Sequence, residues 1–306
     1  MALNRYGIYP AIFSGGSTLN LPQLGMAQAD PGSTIERVIP SGAVDPAANI
    51  VSSGRPTAAI RTLDLKTFFT TVSPSTGFSC TGGALFHYQQ RASGGVFSGG
   101  STNIILTSTK GFLLPQRLSA NENGPADLTA QYLCLYDGTN IPFTIAASQS
   151  LSDAPSPAFA SMYFLGPLYV NAAQVEGIIG VNIDFGITAS PRTPDGLVWP
   201  THCPIVRRQP VIGVTFLKAE VLPSTLVSFI HAATAGIIAC YFKRGLPGAV
   251  RVADASITDS HLKITAASGT YQPAGIEVSG EDDTTVTINI LPTAALGVGL
   301  AVAIGS

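Results

Sequence analysis

Charge is what this sequence has least of. Only 11% of its 306 residues are Asp, Glu, Lys or Arg, where an ordinary soluble domain carries about 25%. The 16 basic and 18 acidic residues leave a net charge of −2, and the longest cationic runs are the pairs Arg207-Arg208 and Lys243-Arg244. Binding to a nucleic-acid backbone draws on clustered cations that release counterions, so the sequence argues against a protein that grips DNA or RNA. Tryptophan occurs once, at Trp199, which is thin provision for stacking on sugar rings. Four cysteines, Cys80, Cys134, Cys203 and Cys240, have no close paired spacing and read as free thiols made in a reducing compartment. The opening Met-Ala-Leu-Asn-Arg-Tyr-Gly lacks the apolar stretch of a secretory signal.

Long hydrophobic runs are missing too. The charge-poor stretches 219–242 and 284–306 are interrupted by Pro223, Pro292, Gly297, Gly299 and Gly305. A spanning helix needs about 20 predominantly apolar residues, so both read as elements buried in a core, and no membrane partner is expected.

Catalytic signatures are equally scarce. No Gly-x-Ser-x-Gly elbow, phosphate-binding Gly-Lys-Ser/Thr loop or dinucleotide fingerprint occurs; Gly297-Val-Gly-Leu-Ala-Val reads as a closing strand. Among the four histidines (His87, His202, His231 and His261) only His202 has a neighbouring soft ligand, Cys203, with His261 or Cys240 as conceivable partners. Successive strand residues point to opposite faces, which separates His202 from Cys203. The acidic run Glu281-Asp282-Asp283 lacks the spaced oxygen donors of a calcium loop and reads as a solvated turn. The expectation is a non-enzyme with no catalytic residue, no cofactor-binding residue, no metal ligand and no cofactor.

What the chain does have is an echo of itself. Pro40, Gly42, Val44, Pro46 and Pro56 recur without a gap as Pro194, Gly196, Val198, Pro200 and Pro210, 154 positions later. Tyr88, Arg91 and Gly95 match Tyr241, Arg244 and Gly248 at 153, and Thr107, Gly111 and Pro115 match Thr265, Gly269 and Pro273 at 158. A weaker echo sets Asn20 and Gln23 against Asn171 and Gln174. With 32 Gly and 22 Pro some coincidence is guaranteed, yet ordered anchors at nearly one offset point to two similar domains, a size that suits a single core each. The expected division is a first domain over 1–147, a linker over 148–160 with Asp153, Pro155 and Pro157, and a second domain over 161–306.

Strand signals dominate both parts. Val181, Ile183, Phe185 and Ile187 alternate with polar residues or Gly, and Val286, Ile288 and Ile290 do the same. Short runs at 84–88, 104–107, 128–136, 237–242 and 262–265 lie among turn residues. Asp137-Gly138 reads as a tight hairpin turn. Leu65, Phe68, Phe69 and Val72 define one apolar helix face behind Asp64, and Leu217, Leu222, Leu226 and Phe229 keep a similar spacing in the second part. Gly-rich Ser93–Thr102 reads as a flexible hairpin loop. The fold expected is mainly β: two similar β-sandwich or barrel domains from an internal duplication, each with one short flanking helix.

Scarce surface charge suits interfaces, whose cores are depleted in charge, so an oligomer is expected. The segment from Val175 to Val214 contains Val-Glu-Gly-Ile-Ile-Gly-Val-Asn-Ile-Asp-Phe-Gly-Ile, then Asp-Gly-Leu-Val-Trp-Pro-Thr and Arg-Arg-Gln-Pro-Val-Ile-Gly-Val. It resembles the tail tube (major tail) proteins of tailed bacteriophages, in the version with two fused tube domains. That resemblance implies a virion protein, made in the host cytoplasm, whose trimers form stacked pseudo-hexameric rings. It further implies contacts with other virion structural proteins and a lumen through which DNA passes without sequence-specific binding. Two other classes fit a paired β-sandwich: a capsid shell or decoration protein, and a carbohydrate-binding module or hydrolase using Trp199, Tyr163, Tyr169 and Tyr271.

Overall fold

A computed structural model of the chain describes residues 5–22, 29–30, 32–39, 41, 45, 47–91, 103–149, 162–170, 172–175, 177–217, 237–244, 261–277, 285–293 and 300–304. The first part holds β1 (Arg5–Ser14), β2 (Thr18–Leu21), β3 (Ala29–Asp30), β4 (Ser33–Val38), β5 (Ala48–Gly54), β6 (Thr57–Thr62), α1 (Leu65–Thr71), β7 (Phe78–Cys80), β8 (Gly83–Arg91), β9 (Asn103–Ser108), β10 (Gly111–Asn121), β11 (Asp127–Cys134) and β12 (Thr144–Gln149). The second holds β13 (Tyr163–Val170), β14 (Ala173–Val175), β15 (Ile178–Asp184), β16 (Ile187–Ala189), β17 (Ile205–Arg208), β18 (Val211–Leu217), β19 (Ile238–Arg244), β20 (His261–Ala266), β21 (Gly269–Glu277), β22 (Thr285–Pro292) and β23 (Ala301–Ile304). The chain is mainly β and sandwich-like, as its alternating patterns predict.

Two five-stranded sheets, β12-β9-β8-β1-β2 and β14-β13-β19-β20-β23, pack on one long antiparallel sheet ordered β21-β22-β18-β15-β10-β11-β6-β3, with β7 added alongside β10. Period-two sequence makes this possible, because each strand of the long sheet offers one apolar face. Register places Leu118, Ile183, Ile212, Ile290 and Tyr271 in one cross-strand row, and all five are buried. In the first part the layers meet through aromatics: Phe13 and Phe86 lie 5.5 and 5.6 Å from the Tyr132 ring. Burying side chains of this size contributes about 1.5–3 kcal/mol each.

The strand orders of the two parts correspond. The first part contributes β10-β11-β6-β3 to the long sheet and the second β21-β22-β18-β15. Irregularities fall at matching places. A bulge after Pro115 in β10 has its counterpart after Pro273 in β21, and the skip between Ile8 and Ala11 in β1 has its counterpart between Leu165 and Leu168 in β13. The turn after β3 and the turn after β15 share three features. Asp30 Oδ1 accepts the Gly32 N–H at 2.8 Å, and Asp184 Oδ1 accepts the Gly186 N–H at 2.8 Å. Both glycines have positive φ, +54° and +58°. The carbonyl of each then accepts a backbone N–H, from Arg55 and from Gln209, both at 3.0 Å.

Several expectations shift. The helix at Leu65 is present, with Leu65, Phe68 and Phe69 buried and Asp64 capping it by accepting the Thr67 N–H at 3.0 Å; such a cap stabilises by about 1 kcal/mol. Its expected counterpart lies outside the described residues except for Leu217, which closes β18. Asp137-Gly138 does not turn a hairpin, because β11 belongs to the long sheet and β12 pairs with β9 in another layer. Instead Asp137 accepts the N–H groups of Thr139 and Asn140 at 2.8 and 2.7 Å, and the loop carries the chain between layers. The expected linker begins later than Ser148, which with Gln149 still belongs to β12; the rest of it, the loop 93–102, Gln23, Asn171 and the 281–283 run lie outside the described residues. Tyr88 pairs with Ile104 across β8 and β9, the place held in the second part by Phe242 opposite Leu262. The offset there is therefore 154, and the identity between Tyr88 and Tyr241 is one residue out of structural register.

Candidate assembly surfaces

The outer face of the long sheet is polar and nearly neutral. Beside the buried row runs Ser119, Asn182, Gly213, Asn289 and Gln272, and next to it Thr215 and Thr287 meet hydroxyl to hydroxyl at 3.3 Å. Ser119 Oγ donates to Asn182 Oδ1 at 3.4 Å, and the Arg117 guanidinium donates to the same oxygen. Arg61 pairs with Asp127 on this face, and Asp184 lies opposite Arg117. With Asp30, exposed and opposite Thr57 on the same face, two cations and three carboxylates stand there among amides and hydroxyls.

The long sheet is continuous through both parts because β10 pairs with β15, Arg117 opposite Asp184 through Asn121 opposite Gly180. Its terminal strands, β3 and β21, each have a sheet neighbour on one side only among the described residues. An edge strand is a template for another strand.

Two hairpins leave the long sheet, and they differ sharply in surroundings. The β16–β17 hairpin folds onto the first part of the chain. There Gly54 donates its N–H to Val198 at 3.0 Å and Tyr136 donates to Pro200 at 2.7 Å, while Lys110 Nζ reaches the Thr201 carbonyl at 3.4 Å. The Trp199 ring lies on the Gly54 backbone, so close that a Cβ on Gly54 would fall 1.9 Å from it. Beyond Gly54 at its base, the β4–β5 hairpin has no such cover among the described residues. All six residues of β4 are exposed, and Ile35, Val38, Ile39, Ile50 and Val51 are 41–59% exposed.

The chemically suggestive residues do not converge. His202 is exposed and bonds Thr201 Oγ1 through Nδ1 at 2.7 Å, whereas Cys203 packs toward the core. His87 and His261 are buried in separate sheets, and burial lowers the His87 pKa. No group of three metal-ligating side chains occurs among the described residues; His231 lies outside them. Burial pushes Cys80, Cys134 and Cys240 up to about 12 and Cys203 to about 11, so all four are protonated thiols at neutral pH. No described helix is long and apolar enough to cross a membrane. Of the four aromatics considered for sugar stacking, Tyr163 and Tyr271 are buried and Trp199 is committed to Gly54. Tyr169 lines an open cleft of about 570 Å³ with Tyr241 and Lys263, where the Lys263 ammonium lies 5.3 Å from the Tyr241 ring centre.

The hairpin exposure and the terminal sheet edges were not legible as sites in the sequence, because both depend on which strands end up without neighbours. The apolar content of β4 and β5 was the available signal. In comparisons with known proteins, the chain matches no protein-family model and no curated protein.

Proposed function

We propose that the chain is a non-enzymatic structural protein of a virion, a tail-tube subunit. Two copies of one β-sandwich, fused by internal duplication, would occupy successive positions in a ring. The duplication is supported by the shared strand order, the matching bulges at Pro115 and Pro273, and the matching Asp–Gly hydrogen bonds at Asp30 and Asp184.

The observation that carries the ring is the β10–β15 junction. It is a head-to-tail contact between two equivalent units, made by the β10 edge of one and the β15 edge of the next. Strand β21 is the counterpart of β10, and β3 of β15, so among the described residues the same contact is open at both ends of the long sheet. A heterologous contact repeated by rotation closes into a ring or runs on as a filament. Three chains supply six units. The wall of such a ring would be the polar, cation-poor face of the long sheet, which offers DNA hydrogen-bonding groups without the excess cations that would hold it. That combination suits a conduit.

Negative-stain imaging and light scattering of the purified chain test the reading. The expected result is rings of three chains with six similar lobes, stacking into tubes. A species that stays monomeric at high concentration, with no rings, would sink it, while a closed icosahedral lattice would move the assignment to a capsid shell or decoration protein.

A further inference from the structure

The β4–β5 and β16–β17 hairpins are the same element in register. Ser33 pairs with Gly54 as Ile187 pairs with Arg208, and both hairpins slip register one step further on, after Thr34 and after Thr188. Val38 opposes Ala48 as Arg192 opposes His202. The Ala47 N–H donates to the Val38 carbonyl at 2.8 Å, as Thr201 donates to Arg192 at 3.0 Å. One hairpin is docked on a neighbouring unit; the other, beyond its buried base at Gly54, leaves five large apolar side chains 41–59% exposed. Exposed apolar groups in one contiguous element mark an interaction site.

We propose that the β4–β5 hairpin is a docking arm for a second copy of this chain, seated on the second unit of that copy as the β16–β17 hairpin is seated on the first unit of its own. The occupant follows from the direction of the internal contact. The β16–β17 arm leaves the unit that contributes β15 and lands on the unit that contributes β10, across the β15–β10 junction. The β4–β5 arm leaves the unit that contributes β3, so its landing site lies beyond β3, on a unit that presents β21. Within one chain β21 is at the opposite end of the sheet, so the landing site belongs to another molecule.

Part of the landing site lies among the described residues. Where Leu135 donates its N–H to the Lys110 carbonyl at 2.8 Å under the docked arm, Thr293 donates to Ser268 at 3.0 Å in the second unit. In register, Gly54 has Arg208 as its counterpart and Trp199 has Asp45. The internal contact of an indole on a glycine becomes, between chains, an exposed carboxylate facing a guanidinium. Opposite charges at this point favour the correct head-to-tail partner over a like pairing, and Ile35, Val38, Ile50 and Val51 supply the apolar area.

The arm rests on the ring reading for its partner, and the test separates the two. Val38→Asp/Ile50→Asp should leave the circular dichroism spectrum and melting temperature unchanged, because both side chains are exposed, while raising the concentration needed for assembly at least tenfold. In wild-type background, Asp45→Cys/Arg208→Cys treated with a short bismaleimide should convert most of the monomer band to a ladder ending at the ring, while each single variant stays monomeric on the gel. If the wild type assembles but the hairpin variant assembles equally well, or if the double cysteine gives no ladder, the docking arm is wrong and the ring stands. If the wild type never assembles, both are overturned.

Discussion

Gly32 and Gly186 hold the two points where the chain leaves the long sheet for a hairpin. Each sits in the left-handed region, where a side chain costs about 1–2 kcal/mol, and each is pressed against backbone. A Cβ on Gly32 would lie 2.2 Å from the Arg55 carbonyl oxygen, and one on Gly186 would lie 1.9 Å from that of Gln209. Gly196 has a similar φ of +68° but nothing within 4 Å. Gly32→Ala and Gly186→Ala should therefore destabilise alike and clearly more than Gly196→Ala, whose loss should be about 1 kcal/mol. Urea midpoints at fixed slope read the difference, and equal losses for Gly186→Ala and Gly196→Ala would show that the carbonyl contact is relieved by a small shift. These two turns were invisible in the sequence because Asp-x-Gly is a common string. Proline and glycine spacing suggested a repeat at Pro40–Pro56, whereas the residues that share a hydrogen bond are Asp30 and Asp184, two aspartates among a scattering of others.

Among the elements, the helix was the easiest to read, since Leu65, Phe68, Phe69 and Val72 face one way whatever they pack on. Alternating strands such as β15 and β22 were legible for the same reason. Pairing was not: Asp137-Gly138 has turn chemistry, yet whether two flanking strands pair depends on which layer each joins, and that is decided by residues far away in sequence. The docked β16–β17 hairpin shows the same dependence, because Trp199 gains its role from Gly54, on another unit. Trp199→Ala should destabilise by about 1–3 kcal/mol, less than the loss for a fully buried aromatic, since the ring is half-buried and the backbone bonds from Gly54 and Tyr136 remain. Gly54→Ala should be costly in the wild type, where its methyl meets the indole, and much cheaper in the Trp199→Ala background. A double-mutant cycle measures that coupling, and additive losses would mean that the indole is free to move away.

The two units are joined by more than one strand pair, and this governs how the whole molecule unfolds. Beside the β10–β15 ladder, Phe185 donates its N–H to Gln116 at 3.0 Å, Glu122 donates to Ile179 at 3.0 Å and Ala126 donates to Tyr163 at 2.6 Å. Phe69 and Phe185 pack with ring centres 5.8 Å apart, and the buried apolar residues of both units form one connected cluster. A boundary this apolar differs from the polar contacts typical of independently moving domains. Melting should therefore show one transition, with equal calorimetric and van't Hoff enthalpies, although the strands fall into two corresponding sets. Leu118 lies in the buried row that crosses the junction from Leu128 through Ile183 to Ile290, so Leu118→Ala, a change that costs about 2–5 kcal/mol in a well-packed core, should lower that single transition as a whole. Two resolved transitions, with only one displaced by the substitution, would show instead that the units fold separately and that the β10–β15 contact is too weak to serve as the pattern for a ring.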